Sequence, residues 1–152
     1  MRMQFIALVL AAWFTATAAA PVSASEPTPA PQQVVAIQLD ALRQNDVPSP
    51  DAGIARVWEF AHPDNQRVTG PLDRFTQMIK GGAYSILINH RSHQIEPLAL
   101  SDETATFSVT VTGSNGTVAG FLWAVSKVSS VDDADTWMTT GVSPAALRGK
   151  DA

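Results

Sequence analysis

The chain has 152 residues, of which 45% are hydrophobic and 16% charged, and it contains no cysteine. This length suits one domain, and the apolar content is enough for a packed core, which excludes a wholly disordered chain. The formal net charge of −4 argues against a nucleic-acid-binding surface. The lack of cysteine excludes disulfides, zinc–thiolate centres and iron–sulfur clusters.

The first 24 residues are typical of a secretory signal peptide. Arg2 gives a positive start, and Phe5–Ala20 is an uncharged, mainly apolar run that is shorter than a membrane-spanning helix requires. Val22–Ala24 provides the small residues that precede a cleavage site. We therefore expect cleavage after Ala24 and an exported protein, periplasmic or secreted, whose mature chain has no membrane span.

A flexible, proline-rich leader is predicted over 25–32, and three amphipathic helices follow it. The first covers about 34–44, with apolar residues spaced i, i+4 and i+7 on one face, namely Val35, Leu39 and Leu42. The second is expected to start at a capping Ser49 and to end at Pro63, and the third to run from about Thr69 to Gly81. The connection between the second and third helices is interpreted as an ordered loop.

After the third helix the apolar residues alternate, which indicates strands. The segment Tyr84–His90 is predicted to be a turn leading into the first strand. We predict strands over about 93–100, 105–112, 118–128 and 136–142. Asn115-Gly116 favours a type I′ hairpin turn between two of them, and the acidic stretch Ser129–Asp135 is predicted to be a loop.

Helices followed by a strand meander predict an α+β fold. A single sheet with one apolar face must be covered, and the three helices are available to cover it. We therefore expect three N-terminal helices packed on a curved antiparallel sheet of about four strands. The predicted domain covers 33–145, and 146–152 form a C-terminal tail.

Three segments and several single residues carry a family resemblance. They are Val35–Asp46, Val57–Pro63 and Gly70–Phe75, together with Met78, Tyr84, Trp137 and Gly141-Val142. In these residues the chain resembles the DUF4864 family of exported or organellar proteins of unknown function. Thr136 stands where family members often have glycine. The order of elements is similar to the cystatin-related NTF2-like cone, a fold that hosts isomerases, dehydratases, hydrolases and binding modules, so the resemblance implies no single activity.

The sequence contains none of the common motifs of nucleotide-binding proteins, serine hydrolases or HExxH zinc enzymes. Its three histidines are His62, His90 and His93. On a strand, residues three apart point to opposite faces, so we expect the imidazoles of His90 and His93 to diverge. No metal site and no cofactor are therefore predicted.

A ligand-binding region is predicted around the Ala61–Thr69 connection. It concentrates polar side chains next to a helix start, where an anion would meet backbone N–H groups and arginine. The alternative is that the same side chains only cap backbone groups. The resemblance to the NTF2-like cone implies a cavity between sheet and helices that aromatic residues would line. With two such aromatics added, the candidate ligand-binding set is His62, Asn65, Arg67, Arg74, Tyr84 and Trp123.

Three functions remain open at this level. The first is a non-enzymatic module that binds a small apolar ligand or a protein partner. The second is an NTF2-like isomerase or hydrolase that uses Tyr84 with a histidine or Glu96, which requires that Glu96 point into the core. The third is a structural protein that forms a homodimer through its sheet. A binding module predicts an apolar cavity without convergent titratable groups, whereas an enzyme predicts at least two polar groups that converge there.

Overall fold

The computed structural model describes residues 27–129 and 135–146. The elements are α1 Pro31–Arg43, α2 Ala52–Glu59, α3 Pro63–Thr69, α4 Leu72–Lys80, a 3₁₀ helix Gly82–Leu87, β1 Ser92–Leu100, β2 Thr104–Thr112, β3 Val118–Ser129 and β4 Asp135–Ala145. The predicted signal peptide, the middle of the acidic loop and most of the tail lie outside the described residues. Within those residues, no helix combines the length and the apolar character needed to cross a membrane.

The four strands form one open antiparallel sheet in the order β1-β2-β3-β4, which confirms the predicted α+β class and strand meander. Side chains on β2 and β3 point alternately to the two faces of the sheet, and one set of them lies in the core. These buried residues are Ala105, Phe107, Val109, Val111, Phe121, Trp123 and Val125. The outward positions of β2 carry threonine and serine, so the helices are needed on one face only.

The helices supply the other half of the core. Their buried apolar residues are Val34, Val35, Leu39, Leu42, Ile54, Val57, Phe75 and Ile79. Removal of one such side chain from water stabilises the fold by about 1.5–3 kcal/mol. In a chain without cysteine, burial of this apolar surface is the main source of stability.

Four α-helices and a 3₁₀ helix precede the sheet, so the prediction of three helices was wrong for the described chain. The connection interpreted as a loop contains α3, which begins at Pro63. Proline suits the first helical turn because the N–H that it lacks would have no partner there. The ring nitrogen Nδ1 of His62 accepts a hydrogen bond from the backbone N–H of Asp64 at 3.1 Å, so His62 caps this helix. The leader is also shorter than expected, because α1 begins at Pro31.

The start of α2 differs from the prediction in its cap. The helix begins at Ala52, and the cap comes from Asn45 rather than from Ser49. The Oδ1 atom of Asn45 accepts from the N–H of Ile54 at 3.0 Å, and its backbone oxygen accepts from Gly53 at 2.8 Å. A Cβ on Gly53 would lie 2.2 Å from the carbonyl oxygen of Ala41, so α1 and α2 cross in backbone contact.

The β2–β3 hairpin does not form the predicted type I′ turn, which requires positive φ at both central residues. Of Asn115 and Gly116, only Gly116 has positive φ, at 86°. The N–H of Gly116 donates to the oxygen of Gly113 at 3.0 Å, and the N–H of Gly113 donates to the oxygen of Thr117 at 2.7 Å. The connection is therefore a longer loop with glycine at its left-handed position.

Both outer strands of the sheet are irregular. In β1 the register shifts at Leu98, and in β4 it shifts at Thr140. Next to the second bulge, the chain at Phe60–His62 lies alongside β4. The N–H of Thr139 donates to the oxygen of Phe60 at 2.7 Å, and the N–H of His62 donates to the oxygen of Thr139 at 2.8 Å. These bonds attach the α2–α3 connection to the sheet.

Candidate functional site

A cavity of about 130 Å³ lies between the helices and the inner face of the sheet. It is lined by Gln38, Leu42, Val57, Ala61, Asn65, Thr69, Phe75, Met78, Ile79, Tyr84, Leu87, Trp123, Thr139, Gly141 and Val142. Asn65 and Thr69 of α3, Tyr84 and Val142 are half-buried, and Met78 of α4 is 37% exposed, so the mouth lies between α3, α4 and β4. An apolar cavity of about 150 Å³ holds benzene, so the interior of this one suits about six non-hydrogen atoms, and a polar substituent of the ligand would lie in the mouth.

A buried hydrogen-bond network forms the polar wall of the cavity. The indole Nε1 of Trp123 donates to Oγ1 of Thr139 at 3.1 Å, and this hydroxyl donates to Oε1 of Gln38 at 3.0 Å. The amide Nε2 of Gln38 donates to the oxygen of Val34 at 3.1 Å. Gln38 and Trp123 are at most 1% exposed and Thr139 is 3% exposed, so each polar atom needs the partner that it has.

Three half-buried side chains carry oxygen atoms near the mouth. The hydroxyl of Tyr84 donates to the backbone oxygen of Val142 at 2.8 Å. The hydroxyl of Thr69 donates to the backbone oxygen of Asn65 at 2.7 Å. The amide Nδ2 of Asn65 donates to the backbone oxygen of Thr139 at 3.3 Å. These bonds fix the three side chains against the backbone.

The lining contains no aspartate, glutamate, lysine, arginine or histidine among the described residues. Tyr84 is its one titratable side chain, and the phenolic hydrogen of that residue is already donated to a carbonyl. A general acid or base must present its proton or lone pair to the substrate. The described lining therefore offers shape and hydrogen bonding, with Tyr84 as its one side chain that can ionise.

The structure brings three of the predicted ligand-binding residues to this cavity, namely Asn65, Tyr84 and Trp123. They come from α3, the 3₁₀ helix and β3. Asn65 lies one helical turn before Thr69, so both face the cavity from α3. Tyr84 also packs against Phe121, with the ring centroids 6.1 Å apart.

The other predicted residues lie elsewhere. His62 caps α3, and Arg67 forms an exposed ion pair with Asp64 at 2.6 Å. Arg74 is exposed on α4 and does not line the cavity. Glu96 is exposed and pairs with the outward-facing Ser108, so it is on the opposite side of the sheet from Tyr84. The structure therefore contradicts the alternative in which Tyr84 and Glu96 act together as a catalytic pair.

The imidazoles of His90 and His93 contact one another, so the prediction that they diverge was wrong. His90 precedes β1 and so does not follow the alternation of the strand. Its Nδ1 lies 2.7 Å from the oxygen of Leu87 and its Nε2 lies 2.8 Å from Nδ1 of His93. Because a carbonyl only accepts, Nδ1 of His90 carries hydrogen, and in the neutral imidazole Nε2 then accepts from Nδ1 of His93. Within the described residues, no group of three ligating side chains accompanies this pair.

Comparison with known proteins places the chain in a family. The model of the family described as "Domain of unknown function (DUF4864)" matches residues 25–152. The chain belongs to the DUF4864 family. No curated protein and no solved structure matches it. The match confirms the resemblance of this DUF4864 protein to its family, and the family description carries no activity.

Among the polar residues that line the cavity of this DUF4864 domain, the predicted ligand-binding set lacked Gln38, Thr139 and Thr69. A signal for the first was present, since Gln38 lies on the same face of α1 as Val35 and Leu42 and is a polar residue within an apolar stripe. Thr139 lies two positions after Trp137 on β4, so both side chains point to the inner face of the sheet. The sequence alone does not show that the side chains of Gln38 and Thr139, which are 101 positions apart, form a hydrogen bond.

The histidine pair predicts how stability depends on pH. Burial lowers the pKa of His90 below its usual 6.5, with smaller contributions from His93 and Arg43, and the oxygen of Leu87 and Asp40 oppose the shift. Burial also lowers the pKa of His93, against the opposing effect of Asp40. Since the unfolded chain then takes up protons first, we expect the unfolding free energy to fall as the pH drops below 6.5.

Thermal unfolding at about pH 7.5 and about pH 5.5 measures this effect. We expect a lower Tm at the acidic pH, and a smaller difference in the variant His93→Asn. Asparagine places an amide N–H near the position of Nδ1 and so keeps a donor to His90 while removing one titrating group. An unchanged difference in the variant would show that His93 does not contribute to the pH dependence.

Proposed function

We propose that this DUF4864 protein is a non-enzymatic, exported module that binds a small, uncharged and mainly apolar ligand in the cavity between its helices and sheet. The observation that carries the proposal is the composition of the lining, whose described residues join apolar walls to hydrogen-bonding groups and include no charged side chain. A charged ligand would lose its hydration there and find no opposite charge, at a cost of several kcal/mol. A neutral ligand meets no such penalty.

The arrangement gives less support to the alternatives. An isomerase or hydrolase needs two groups that exchange protons with the substrate, and the lining provides only Tyr84. A dimer formed through the sheet needs an exposed apolar face. The outward residues of β2 are threonine and serine, and they lie between the exposed large apolar side chains of the neighbouring strands, which are Leu98 and Leu100 of β1 and Val118 and Leu122 of β3.

The family resemblance is consistent with this use of the cavity. The segments by which the chain resembles the family contribute much of the lining, including Gln38, Leu42, Val57, Ala61, Phe75, Met78, Tyr84 and Val142. If the cavity has the same role throughout the family, the residues that line it are expected to lie in the segments by which the chain resembles the family. We also propose that the helices and sheet form an NTF2-like cone, because a cavity between the two layers is what that fold would enclose.

Export is part of the proposal and has its own test. The positive start, apolar run and small residues at Val22–Ala24 support cleavage near Ala24. N-terminal sequencing of the protein recovered from outside the cytoplasm of its host should then give a chain that starts at Ser25. Recovery of the intact chain, beginning at Met1, from the cytoplasm would contradict export.

Benzene is a suitable probe of the cavity because it needs space but no polar partner. We expect benzene to shift the NMR signals of residues in the lining, including the indole N–H of Trp123, in a saturable manner. In the variant Val142→Phe, the larger ring occupies the mouth, because Val142 pairs with the inward-facing Trp123. The affinity should fall by about tenfold or more, which corresponds to about 1.4 kcal/mol.

A matched control is available one residue away. Ser143 pairs with the exposed Leu122, so the variant Ser143→Phe adds the same ring to the outer face of the sheet. Its affinity for benzene should equal that of the unmodified protein. Circular dichroism establishes that both variants fold. No saturable shift in the unmodified protein, or equal affinities in the two variants, would contradict a binding cavity at this position.

A further inference from the structure

The hydrogen bonds at the mouth of the cavity specify the chemistry of the ligand more closely, and this inference rests on the proposed binding function. Asn65, Thr69 and Tyr84 all line the cavity and are half-buried. In each of them a hydrogen is donated to a backbone carbonyl: Tyr84 to Val142, Thr69 to Asn65, and Asn65 to Thr139. A ligand at the mouth therefore meets their oxygen atoms.

These oxygen atoms retain the capacity to accept. A hydroxyl oxygen has two lone pairs, and so has the oxygen of an amide. Among the described residues, no donor contacts Oη of Tyr84, Oγ1 of Thr69 or Oδ1 of Asn65. Three acceptors are thus present at the mouth, against one remaining amide hydrogen on Asn65.

The deeper wall offers nothing comparable. The hydrogens of Trp123 and Thr139 are used inside their own network, and both amide hydrogens of Gln38 have acceptors, on Val34 and Thr139. The rest of the interior is apolar, with Leu42, Val57 and Leu87 among its walls. The polar part of a ligand is therefore best placed at the mouth and the apolar part inside.

We infer that the ligand is a small uncharged molecule that donates a hydrogen bond, such as a phenol or a compact alcohol. Its apolar body fills the cavity of about 130 Å³, and its hydroxyl donates its one hydrogen to the oxygen atom of Thr69 or of Tyr84 at the mouth. A ligand that only accepts hydrogen bonds would bring its oxygen against theirs, and the remaining amide hydrogen of Asn65 is the one donor that the described residues of the mouth offer to replace its hydration. The site therefore discriminates by the direction of the hydrogen bond as well as by size.

Three probes of similar size test this inference: phenol donates, anisole only accepts, and toluene does neither. Their association constants are measured by NMR titration for the unmodified protein and for the double variant Thr69→Val, Tyr84→Phe. Valine and phenylalanine keep the shapes of the two side chains and remove their oxygen atoms. The control is Thr110→Val, which makes the same change on the outward face of β2.

We expect the phenol-to-toluene ratio of association constants to be about 2- to 10-fold lower in the double variant than in the unmodified protein, as the loss of one hydrogen bond predicts. The control should keep the original ratio, and the anisole-to-toluene ratio should not fall in the double variant. Comparison of ratios cancels the different hydration of the probes, and circular dichroism verifies the fold.

The outcomes separate this inference from the function on which it rests. Binding of toluene with an unchanged phenol-to-toluene ratio in the double variant would overturn the preference for a donor and leave the cavity as a binding site. If the anisole-to-toluene ratio fell as much as the phenol-to-toluene ratio in the double variant, the inference that the ligand donates the hydrogen bond would be wrong. Failure of all three probes to bind the unmodified protein would overturn the proposed function itself.

Discussion

The variant Gly53→Ala is expected to lose about 3 kcal/mol of unfolding free energy. Alanine normally stabilises a helix relative to glycine by about 0.5–1 kcal/mol, so the expected sign is the reverse of the usual one. The reason is the crossing of α1 and α2, where a Cβ on Gly53 would lie 2.2 Å from the carbonyl oxygen of Ala41 and 2.8 Å from Cα of Asn45. Both are backbone atoms, which relax less readily than the end of a side chain, and overpacking of this kind is costly.

Urea unfolding followed by tryptophan fluorescence measures the change. Gly141 provides the control, because a Cβ there meets nothing within 4 Å and its φ is not positive. Gly141→Ala should be neutral or stabilising by up to about 1 kcal/mol. If Gly53→Ala were as stable as Gly141→Ala, the two helices would not cross in backbone contact.

The variant Thr139→Val should destabilise the protein by about 2–6 kcal/mol. Valine has nearly the shape of threonine but lacks the hydroxyl that joins Trp123 to Gln38. The indole N–H and the amide oxygen of Gln38 would remain buried without those partners. Each buried polar group left unsatisfied costs about 1–3 kcal/mol.

The control keeps the hydroxyl and removes the methyl group instead. Thr139→Ser should lose about 1 kcal/mol, as is usual for one buried methyl group. Urea unfolding of the two variants at neutral pH compares them directly. Equal stability of the valine and serine variants would mean that the hydroxyl of Thr139 makes no net contribution.

Regular periodicity explains which parts of the fold were predictable. The four strands and the stripe of α1 follow from the spacing of apolar residues, because one buried face imposes a period of two on a strand and about 3.6 on a helix. The short helix α3 has no buried residue, so it has no apolar stripe to detect. Pro63 was interpreted as the end of a helix, although proline is equally suited to begin one.

The candidate site was harder to predict because its contacts are long-range. Asn65, Tyr84 and Trp123 were identified by residue type, and the structure places them at one cavity. Arg67 was selected for its charge, but its partner Asp64 lies three positions away on the same exposed helix face. Residue type indicates what a side chain can do, whereas the crossing of elements decides which side chains meet.

The irregular outer strands also bear on association between copies of the chain. An open sheet presents unpaired backbone groups along both margins, and these can template aggregation. Here β1 contains Pro97 next to its bulge, and β4 contains Pro144 beyond its own bulge. The chain at Phe60–His62 occupies part of the second margin. These features hinder the addition of a further strand at either edge of the sheet. They would therefore help this protein, which has no disulfides, to remain unaggregated at high local concentration.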